Sequence, residues 1–163
     1  MAYNFKNYIY NDKLSKEQNL LMDRLYKLRM SGMAETFERQ LLDPNQRLNS
    51  FEERFSDIVN SEWSQRETKK FNKLLKQATL KYPAADLDQS IYEPERQLNT
   101  HVIERLSEGT WIDESNNLLM TGGAGAGKTY IACALCVTAL HQMRTVKYIR
   151  SSYLLQEADH ARK

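Results

Sequence analysis

The sequence lacks long apolar runs, a secretory signal and a strong net charge, and each absence excludes a class of protein. No apolar run is long enough to cross a bilayer, so a membrane-spanning protein is not expected. The first residues, MAYNFKNYIYND, lack the apolar core of a signal peptide, so we expect a cytoplasmic protein. The net charge of +2 is too small to indicate a partner, which leaves local charge patterning as the electrostatic signal.

Cysteine is scarce as well. Cys133 and Cys136 form a CxxC within a predicted helix, where residues three apart share one face. A thioredoxin-like pair lies at a helix N-terminus, and a structural zinc site needs a second pair; the sequence has neither. We therefore predict two buried structural thiols.

One stretch of the sequence indicates a chemical function. Residues Gly122 to Thr129, GGAGAGKT, match the GxxxxGK[ST] pattern of a phosphate-binding loop. The apolar run NLLMT at 117–121 precedes the loop as a predicted strand, and an apolar run with helical spacing follows at 130–140. A glycine-rich hairpin with a chance lysine is the competing explanation. The strand-loop-helix context that the motif requires is present, which favours the phosphate loop.

Each residue type in the loop has a physical role. Glycines permit a tight turn whose N–H groups point at a phosphate, and the following helix adds the positive end of its dipole. Lys128 is predicted to reach the β- and γ-phosphates, and the Thr129 hydroxyl to bind Mg²⁺. The predicted ATP site is Gly122, Gly123, Ala124, Gly125, Ala126, Gly127, Lys128 and Thr129.

The first half of the chain is predicted to be helical. Residues 1–14 carry several aromatic residues and fit either a docking arm or a loose tail. Ser15 and Ser50 each begin a capping box, with Gln18 and Glu53 three residues later. Ser31-Gly32 is predicted to end the first helix, and a short helix then runs from about residue 33 to 42.

The apolar residues after Ser50 leave two alternatives open. Phe51, Phe55 and Ile58 recur at helical spacing, and Phe71 and Leu74 recur on nearly the opposite side. Either two helices meet at a break near residue 64, or one long helix packs its two halves on different surfaces.

The later part of this region is basic along one face. The side chains are a solvated helix surface or a strip that follows a nucleic-acid backbone, and the sequence leaves both open. No element indicates the recognition of particular bases, so any DNA contact is expected to be independent of sequence. The candidate contacts are Arg66, Lys69, Lys70, Lys73 and Lys76.

The remaining elements are assigned more briefly. We predict a linker at 84–94, a helix at about 95–108 and a polar turn at 111–114, where Asp113-Glu114 only superficially resembles a metal-binding acidic pair. The run VKYIR at 146–150 is a predicted second strand, followed by a last helix.

The whole pattern resembles a known family. The resemblance is carried by segments in a fixed order: LYKLRMSGMAETF, FEERFSDIVNSEWSQRE, KLLKQATLKYP, and NNLLMTGGAGAGKTYIACAL with VKYIR. These segments, taken in this order, resemble the IstB family of transposition helper ATPases, which is related to the DnaC helicase loader. The loop departs from the family's usual form, which has proline after the first glycine and threonine before the last. Phosphate binding by backbone N–H groups tolerates that change.

The resemblance implies an α/β P-loop NTPase fold of the AAA+ type, preceded by an all-α N-terminal domain. The implied domains are a helical domain at 1–83, the linker, and the first part of the core at 95–163. It also implies that three features of the family lie beyond residue 163: the acidic strand, the polar sensor strand, and the arginines that act on the ATP of a neighbouring subunit. We therefore expect an incomplete, C-terminally truncated core, with no catalytic residues within this chain.

The implied function is that of an ATP-binding, DNA-associated helper of insertion-sequence transposition. ATP and Mg²⁺ are the implied cofactors, and the implied partners are duplex DNA, a transposase and further copies of the full-length protein. Two alternatives remain open. One is a non-catalytic module that binds DNA or protein, and the other is a DnaC-like loader that meets a replicative helicase.

Overall fold

A computed structural model describes residues 8–88 and 99–161, and these residues form two compact units. One unit extends to Lys69 and the other begins at Lys70. Within the described residues the regular elements are helical: α1 (Lys16–Lys27), α2 (Ser31–Leu42), a 3-10 helix (Pro44–Leu48), α3 (Phe51–Ala78), α4 (Thr100–Ser107), α5 (Thr110–Asp113), α6 (Lys128–His141) and α7 (Ser151–Ala161).

The division between the units falls inside helix α3. The sequence placed a domain boundary after residue 83 and a linker at 84–94, and this assignment stays a prediction. Residues 89–94 of that linker, together with the first part of the helix predicted at 95–108, lie outside the described residues. Within the described residues no helix has both the length and the apolar character needed to cross a bilayer.

Both predicted capping boxes are confirmed. The N–H of Gln18 donates to Ser15 Oγ at 3.1 Å, and the N–H of Ser15 donates to Gln18 Oε1 at 2.8 Å. The N–H of Glu53 donates to Ser50 Oγ at 3.2 Å, and the N–H of Ser50 donates to Glu53 Oε2 at 2.8 Å. Each box supplies side-chain acceptors to backbone N–H groups that a helix start leaves unpaired, which fixes where α1 and α3 begin.

Residues 8–14 pack against α1. The Tyr8 hydroxyl donates to Asn19, and the Tyr8 ring stacks on Tyr26 with 5.8 Å between the ring centroids. Leu14 is buried beside Met22 in the same small core. The described part of the predicted arm is therefore attached to its own helical unit, and residues 1–7 lie outside the described residues.

The prediction that Ser31-Gly32 ends the first helix was wrong. Helix α1 ends at Lys27, and Arg29 adopts φ 62°, so the N–H of Met30 bonds to the Leu25 carbonyl in a Schellman arrangement. Ser31-Gly32 instead begins α2. A Cβ at Gly32 would lie 2.8 Å from the Glu62 Cα, so this glycine permits the close approach of two helices.

The carboxylate of Glu62 stabilises the beginning of α2. Met30, the residue before α2, provides no side-chain cap. Glu62 Oε2 accepts the N–H of Gly32 at 2.8 Å and the N–H of Met33 at 3.3 Å. Glu62 Oε1 accepts Arg66 Nε at 2.6 Å. A buried carboxylate therefore binds a helix N-terminus on one side and a guanidinium on the other.

Helix α3 is continuous from Phe51 to Ala78, which decides between the two alternatives for this region. Its first half contributes Ile58 and Glu62 to the unit that ends at Lys69. Its last turns contribute Phe71, Leu74 and Ala78 to the core of the unit that begins at Lys70. The one-helix alternative is therefore correct, and its two apolar faces belong to different cores.

Helix α6 forms the centre of the second core. Cys133, Ala134 and Leu140 are buried on it, packed with Ile103 of α4 and with Leu80 after α3. Cys133 is fully buried, as predicted, and Cys136 is half-buried. Both thiols are free, and no cluster of His, Cys, Asp or Glu within the described residues is arranged to hold a metal.

The predicted strands at 117–121 and 146–150 are not present as strands. Both stretches have no regular secondary structure, because a strand is defined by ladder hydrogen bonds and neither finds a ladder partner within the described residues. In the second stretch the N–H of Tyr148 instead donates to the Ala78 carbonyl at 2.9 Å, and the Thr79 hydroxyl donates to the Tyr148 carbonyl at 3.3 Å. The stretch therefore stabilises the end of α3.

Replacing Glu62 with glutamine is expected to destabilise the helical unit by about 1–3 kcal/mol, because hydrogen bonds to a charged group are weakened. Burial raises the pKa of Glu62, but the hydrogen bonds from Arg66, Met33 and Gly32 outweigh it, so the pKa lies below its usual value. A carboxylate whose pKa is lower in the folded state than in the unfolded state stabilises the fold at pH values above its unfolded-state pKa. This contribution is lost as the pH falls through the folded-state pKa.

Urea unfolding as a function of pH measures this effect. The free energy of unfolding of the wild type should exceed that of Glu62→Gln at neutral pH, and this difference should disappear in acid. Glu67→Gln, an exposed control on the same helix, should have the free energy of unfolding of the wild type at every pH. Equal stability of Glu62→Gln and wild type at neutral pH would contradict the role assigned to this carboxylate.

Candidate phosphate-binding site

The loop before α6 has a backbone that only glycine adopts readily. Gly125 has φ 79° and Gly127 has φ 83°, both in the left-handed region, and Gly122 has φ 150°. Gly127 is the cap residue of α6, and Lys128 is the first residue of that helix. The glycines of the motif are therefore placed where the turn into the helix requires them.

The loop presents backbone N–H groups that have no acceptor among the described residues. Its internal bonds are Ala126 N–H to the Gly123 carbonyl at 3.4 Å and Ile131 N–H to the Gly127 carbonyl at 3.1 Å. The groups without an acceptor in the described part of the chain are the N–H groups of Gly123, Ala124, Gly125, Gly127, Lys128 and Thr129. Several unpaired donors at the positive end of a helix attract an anion.

The loop also has open space in front of its backbone. A Cβ added at Gly123, Gly125 or Gly127 would meet no atom within 4 Å. Residues 121–126 are exposed, so a phosphate group has access to the N–H groups from solvent. The geometry fits the tail of a nucleotide.

Lys128 and Thr129 are the two loop residues whose side chains are predicted to act on the nucleotide. Lys128 Nζ donates to the carbonyl of Gly122 at 2.8 Å and to that of Gly123 at 2.6 Å, so its ammonium lies over the loop. Thr129 is exposed in the first turn of α6, one residue beyond the lysine. A hydroxyl beside bound phosphate is the kind of oxygen ligand that Mg²⁺ takes in such loops.

A cleft of about 730 Å³ extends from Lys128 and Thr129 along helix α6. The two stretches predicted as strands line its walls, through Met120 on one and Val146 on the other. Its inner surface includes apolar and sulfur-bearing side chains of α6, namely Ala132, Leu135, Cys136 and Ala139. The loop therefore lies at one end of a larger apolar depression.

Comparison with known proteins shows which family the chain is part of. The model of the family of IstB-like ATP binding proteins matches residues 23–163. The chain belongs to this family. The match contains the whole loop, and the placement of the ATP site at its residues stays a prediction.

Relatives named for insertion sequences agree with this assignment. A Pseudomonas fluorescens protein, named for insertion sequence IS1162 and ATP binding, is 38% identical over 136 residues, covering 83% of this chain and 59% of the relative. Two Sinorhizobium fredii proteins named for insertion sequences and ATP binding are 33% and 32% identical, covering 79% and 86% of this chain and 52% and 56% of the relatives. The IstB-like chain thus spans about half to three-fifths of the length of these curated relatives.

Tyr130 makes a contact that the sequence did not reveal. It follows the loop directly, and its hydroxyl accepts the N–H of Asp86 at 3.3 Å. Its ring also lies 6.0 Å from that of Tyr82, measured between the centroids. No pattern in the sequence connects residue 130 to residue 86, so this hydrogen bond could not be predicted. The hydrogen bond attaches the segment after α3 to the start of the loop helix.

Asp113 is occupied by a structural ion pair. Arg144 donates to its two carboxylate oxygens at 2.6 and 2.8 Å, and these hydrogen bonds lower the pKa of Asp113. The residue lies in the short helix α5, so the polar turn predicted at 111–114 is a helical turn. A carboxylate held in this way by a guanidinium is a poor candidate for a metal ligand, in agreement with the sequence interpretation.

The five predicted DNA contacts differ in their surroundings. Arg66 bonds to Glu62 and, at 3.4 Å, to the carbonyl of Arg29. Lys69 Nζ lies 3.5 Å from Ser31 Oγ. These two belong to the unit ending at Lys69, whereas Lys70, Lys73 and Lys76 are exposed in the next unit with no polar partner among the described residues.

Two glycine substitutions test the loop geometry. Gly125→Ala introduces a Cβ at φ 79°, which costs about 1–2 kcal/mol for an L-residue, so we expect ATP to bind about tenfold more weakly. Gly123→Ala is the matched control, because its φ is not positive and the space around it is open. Isothermal titration with ATP measures both, and equal affinities would show that the left-handed conformation is not needed for binding.

Proposed function

We propose that this chain is an ATP-binding helper of insertion-sequence transposition that associates with DNA. The observation that carries the proposal is the row of loop N–H groups that have no acceptor within residues 8–88 and 99–161, with Lys128 over the same loop. Membership of the IstB-like family supports ATP as the nucleotide, and the names of the relatives support the connection to insertion sequences.

We further propose an AAA+-type core preceded by a helical N-terminal domain, working in the cytoplasm. The helices from α1 to α3 support the helical N-terminal domain, because residues 16–78 consist of helical elements and short connections. In this proposal Mg²⁺ is held with ATP by the Thr129 hydroxyl. A bound divalent ion would neutralise charge on the phosphates, while the loop N–H groups and Lys128 position them.

We propose ATP binding without hydrolysis by this chain on its own. Hydrolysis needs an acid that holds the metal and a group that orients the attacking water. The sequence offers no convincing candidate for either, and Asp113 is paired with Arg144. The partners that we propose are a transposase and further copies of the protein.

Association with DNA is proposed for the second half of α3. Lys70, Lys73 and Lys76 are exposed ammonium groups on one helix, which suits contact with a phosphate backbone without selection of bases. The same observation supports the alternative function, a non-catalytic module that binds DNA without ATP. A helicase-loading role is separated from transposition by testing whether the chain retains a transposase or a replicative helicase in a pull-down.

Replacing Lys128 with alanine is expected to abolish measurable ATP binding, because the cation that reaches the β- and γ-phosphates is removed. Titration of labelled ATP, with and without Mg²⁺, measures the loss. Arg105→Ala is the control, since it removes a cation from an exposed position on α4. Unchanged affinity in Lys128→Ala would place the nucleotide elsewhere.

Reversing three charges, with Lys70→Glu, Lys73→Glu and Lys76→Glu in one variant, is expected to abolish binding to random duplex DNA. The wild-type affinity should fall steeply with salt, because neutralised phosphates release counterions. Gel shifts over a salt series measure both effects. A triple variant that binds as well as the wild type would remove helix α3 from the DNA-binding surface. Binding by the wild type that does not respond to ATP would favour the non-catalytic module.

A further inference from the structure

The segment that follows helix α3 brings an aromatic pair to the start of the loop helix. The rings of Tyr82 and Tyr130 lie with 6.0 Å between their centroids and 50° between their planes. Tyr130 directly follows Thr129, so the pair adjoins the residues predicted to bind the phosphates. A flat aromatic surface beside a phosphate-binding loop has the chemistry that a nucleotide base requires for stacking.

The backbone that carries Tyr82 is fixed against helix α6. The Tyr130 hydroxyl accepts the N–H of Asp86 at 3.3 Å. The N–H of Ala85 donates to the Tyr82 carbonyl at 3.2 Å, which closes a turn. Ala85 and Leu87 are both buried in the core around α6. The Tyr82 backbone is therefore held near the first turn of α6 before any ligand binds, which reduces the ordering that a ligand would have to impose.

The ring of Tyr82 is accessible and lies near a positive charge. Tyr82 is 40% exposed, although it packs beside Tyr130. The Lys81 ammonium lies 5.2 Å from the centroid of the Tyr82 ring, within the range of a cation–π contact. A cation next to an exposed aromatic ring favours a ligand that combines a flat ring with negative charge, and a nucleotide has both.

The polar residue bonded to this pair is already engaged within its own segment. The Asp86 N–H donates to Tyr130, and Asp86 Oδ1 accepts the N–H of Asp88 at 2.9 Å. Discrimination between bases needs hydrogen bonds to the edge of the base, whereas stacking uses the face that every base has. Recognition at this position is therefore expected to use the face of the base.

We propose that the base of the bound nucleotide stacks on the exposed ring of Tyr82. This role rests on the proposed function, because the phosphate tail must first lie on the loop at 122–129. The two ends of the nucleotide are then bound by different chemistry. The loop N–H groups and Lys128 bind the charge of the tail, and Tyr82 binds the face of the base. Stacking of this kind strengthens the binding of ATP and GTP alike.

ATP and inorganic tripolyphosphate separate the two contributions, because they share a phosphate chain and differ in the nucleoside. Isothermal titration of the full chain measures both. In Tyr82→Ala the affinity for ATP is expected to fall about tenfold, as is typical when one base–aromatic stack is removed, while the affinity for tripolyphosphate stays unchanged. Tyr82→Phe keeps the ring and should bind ATP as the wild type does. Tyr153→Ala, which removes an exposed tyrosine of α7, is the matched control.

Three results would overturn the stacking role. The first is equal affinity of wild type and Tyr82→Ala for ATP. The second is an equal loss of ATP and tripolyphosphate in Tyr82→Ala, which would mean that the tyrosine supports the loop. The third is a loss of ATP binding in Tyr82→Ala that leaves GTP binding unchanged, which would mean that the edge of the base is read. A similar loss of both nucleotides is the expected result.

Lys128→Ala distinguishes failure of the stacking role from failure of the proposed ATP site. Tripolyphosphate binding is expected to be lost in Lys128→Ala, which tests the loop without a base. If it is lost and Tyr82→Ala still binds ATP like the wild type, only the stacking role fails. Tripolyphosphate binding that does not depend on Lys128 would overturn the ATP site at the loop, and the stacking role with it.

Discussion

Backbone N–H groups at the start of helix α6, which find no acceptor in the part of the chain that the structure describes, are the constraint from which the proposed chemistry follows. They exist because Gly125 and Gly127 take positive φ angles, which turn the loop and place Lys128 at the first position of the helix. The helix in turn is fixed by its buried residues, so the donors are held by a packed core. Donors held in this way need no reorganisation when an anion binds, which is why a nucleotide tail suits the loop.

Helix α3 shows how one element supports two units with different chemistry. In its first half Glu62 caps α2 and binds Arg66, so a cation expected at a DNA surface already has a structural role. In its second half Phe71 and Leu74 are packed in the other core, and the exposed lysines lie on the remaining face. The proposed DNA surface is therefore confined to lysines that pair with no carboxylate of the described residues.

The sequence predicted the features that depend on neighbouring residues. The glycine turn into α6 and both capping boxes are local patterns, and each is present at the predicted position, while the binding of phosphate by that turn stays a prediction. The errors concern contacts between residues far apart in the chain. In the sequence Gly32 resembles a helix terminator, but in the structure it lies against Glu62 of another helix. Arg29 ends α1 with a positive φ angle, a conformation that sequence analysis expects of glycine. The stretches at 117–121 and 146–150 have strand-like composition, but a strand also needs a hydrogen-bonded neighbour.

The position of Lys128 shows why the loop favours phosphate over its own internal contacts. The ammonium donates to two carbonyls of the loop, which are neutral acceptors. Phosphate oxygens carry charge and form shorter and stronger hydrogen bonds with an ammonium, so transfer of Nζ from carbonyl to phosphate is favourable. The carbonyls hold the flexible side chain close to the loop, which reduces the entropy lost when phosphate binds. In the proposed site, the lysine is thus held by weaker contacts that a bound phosphate would replace.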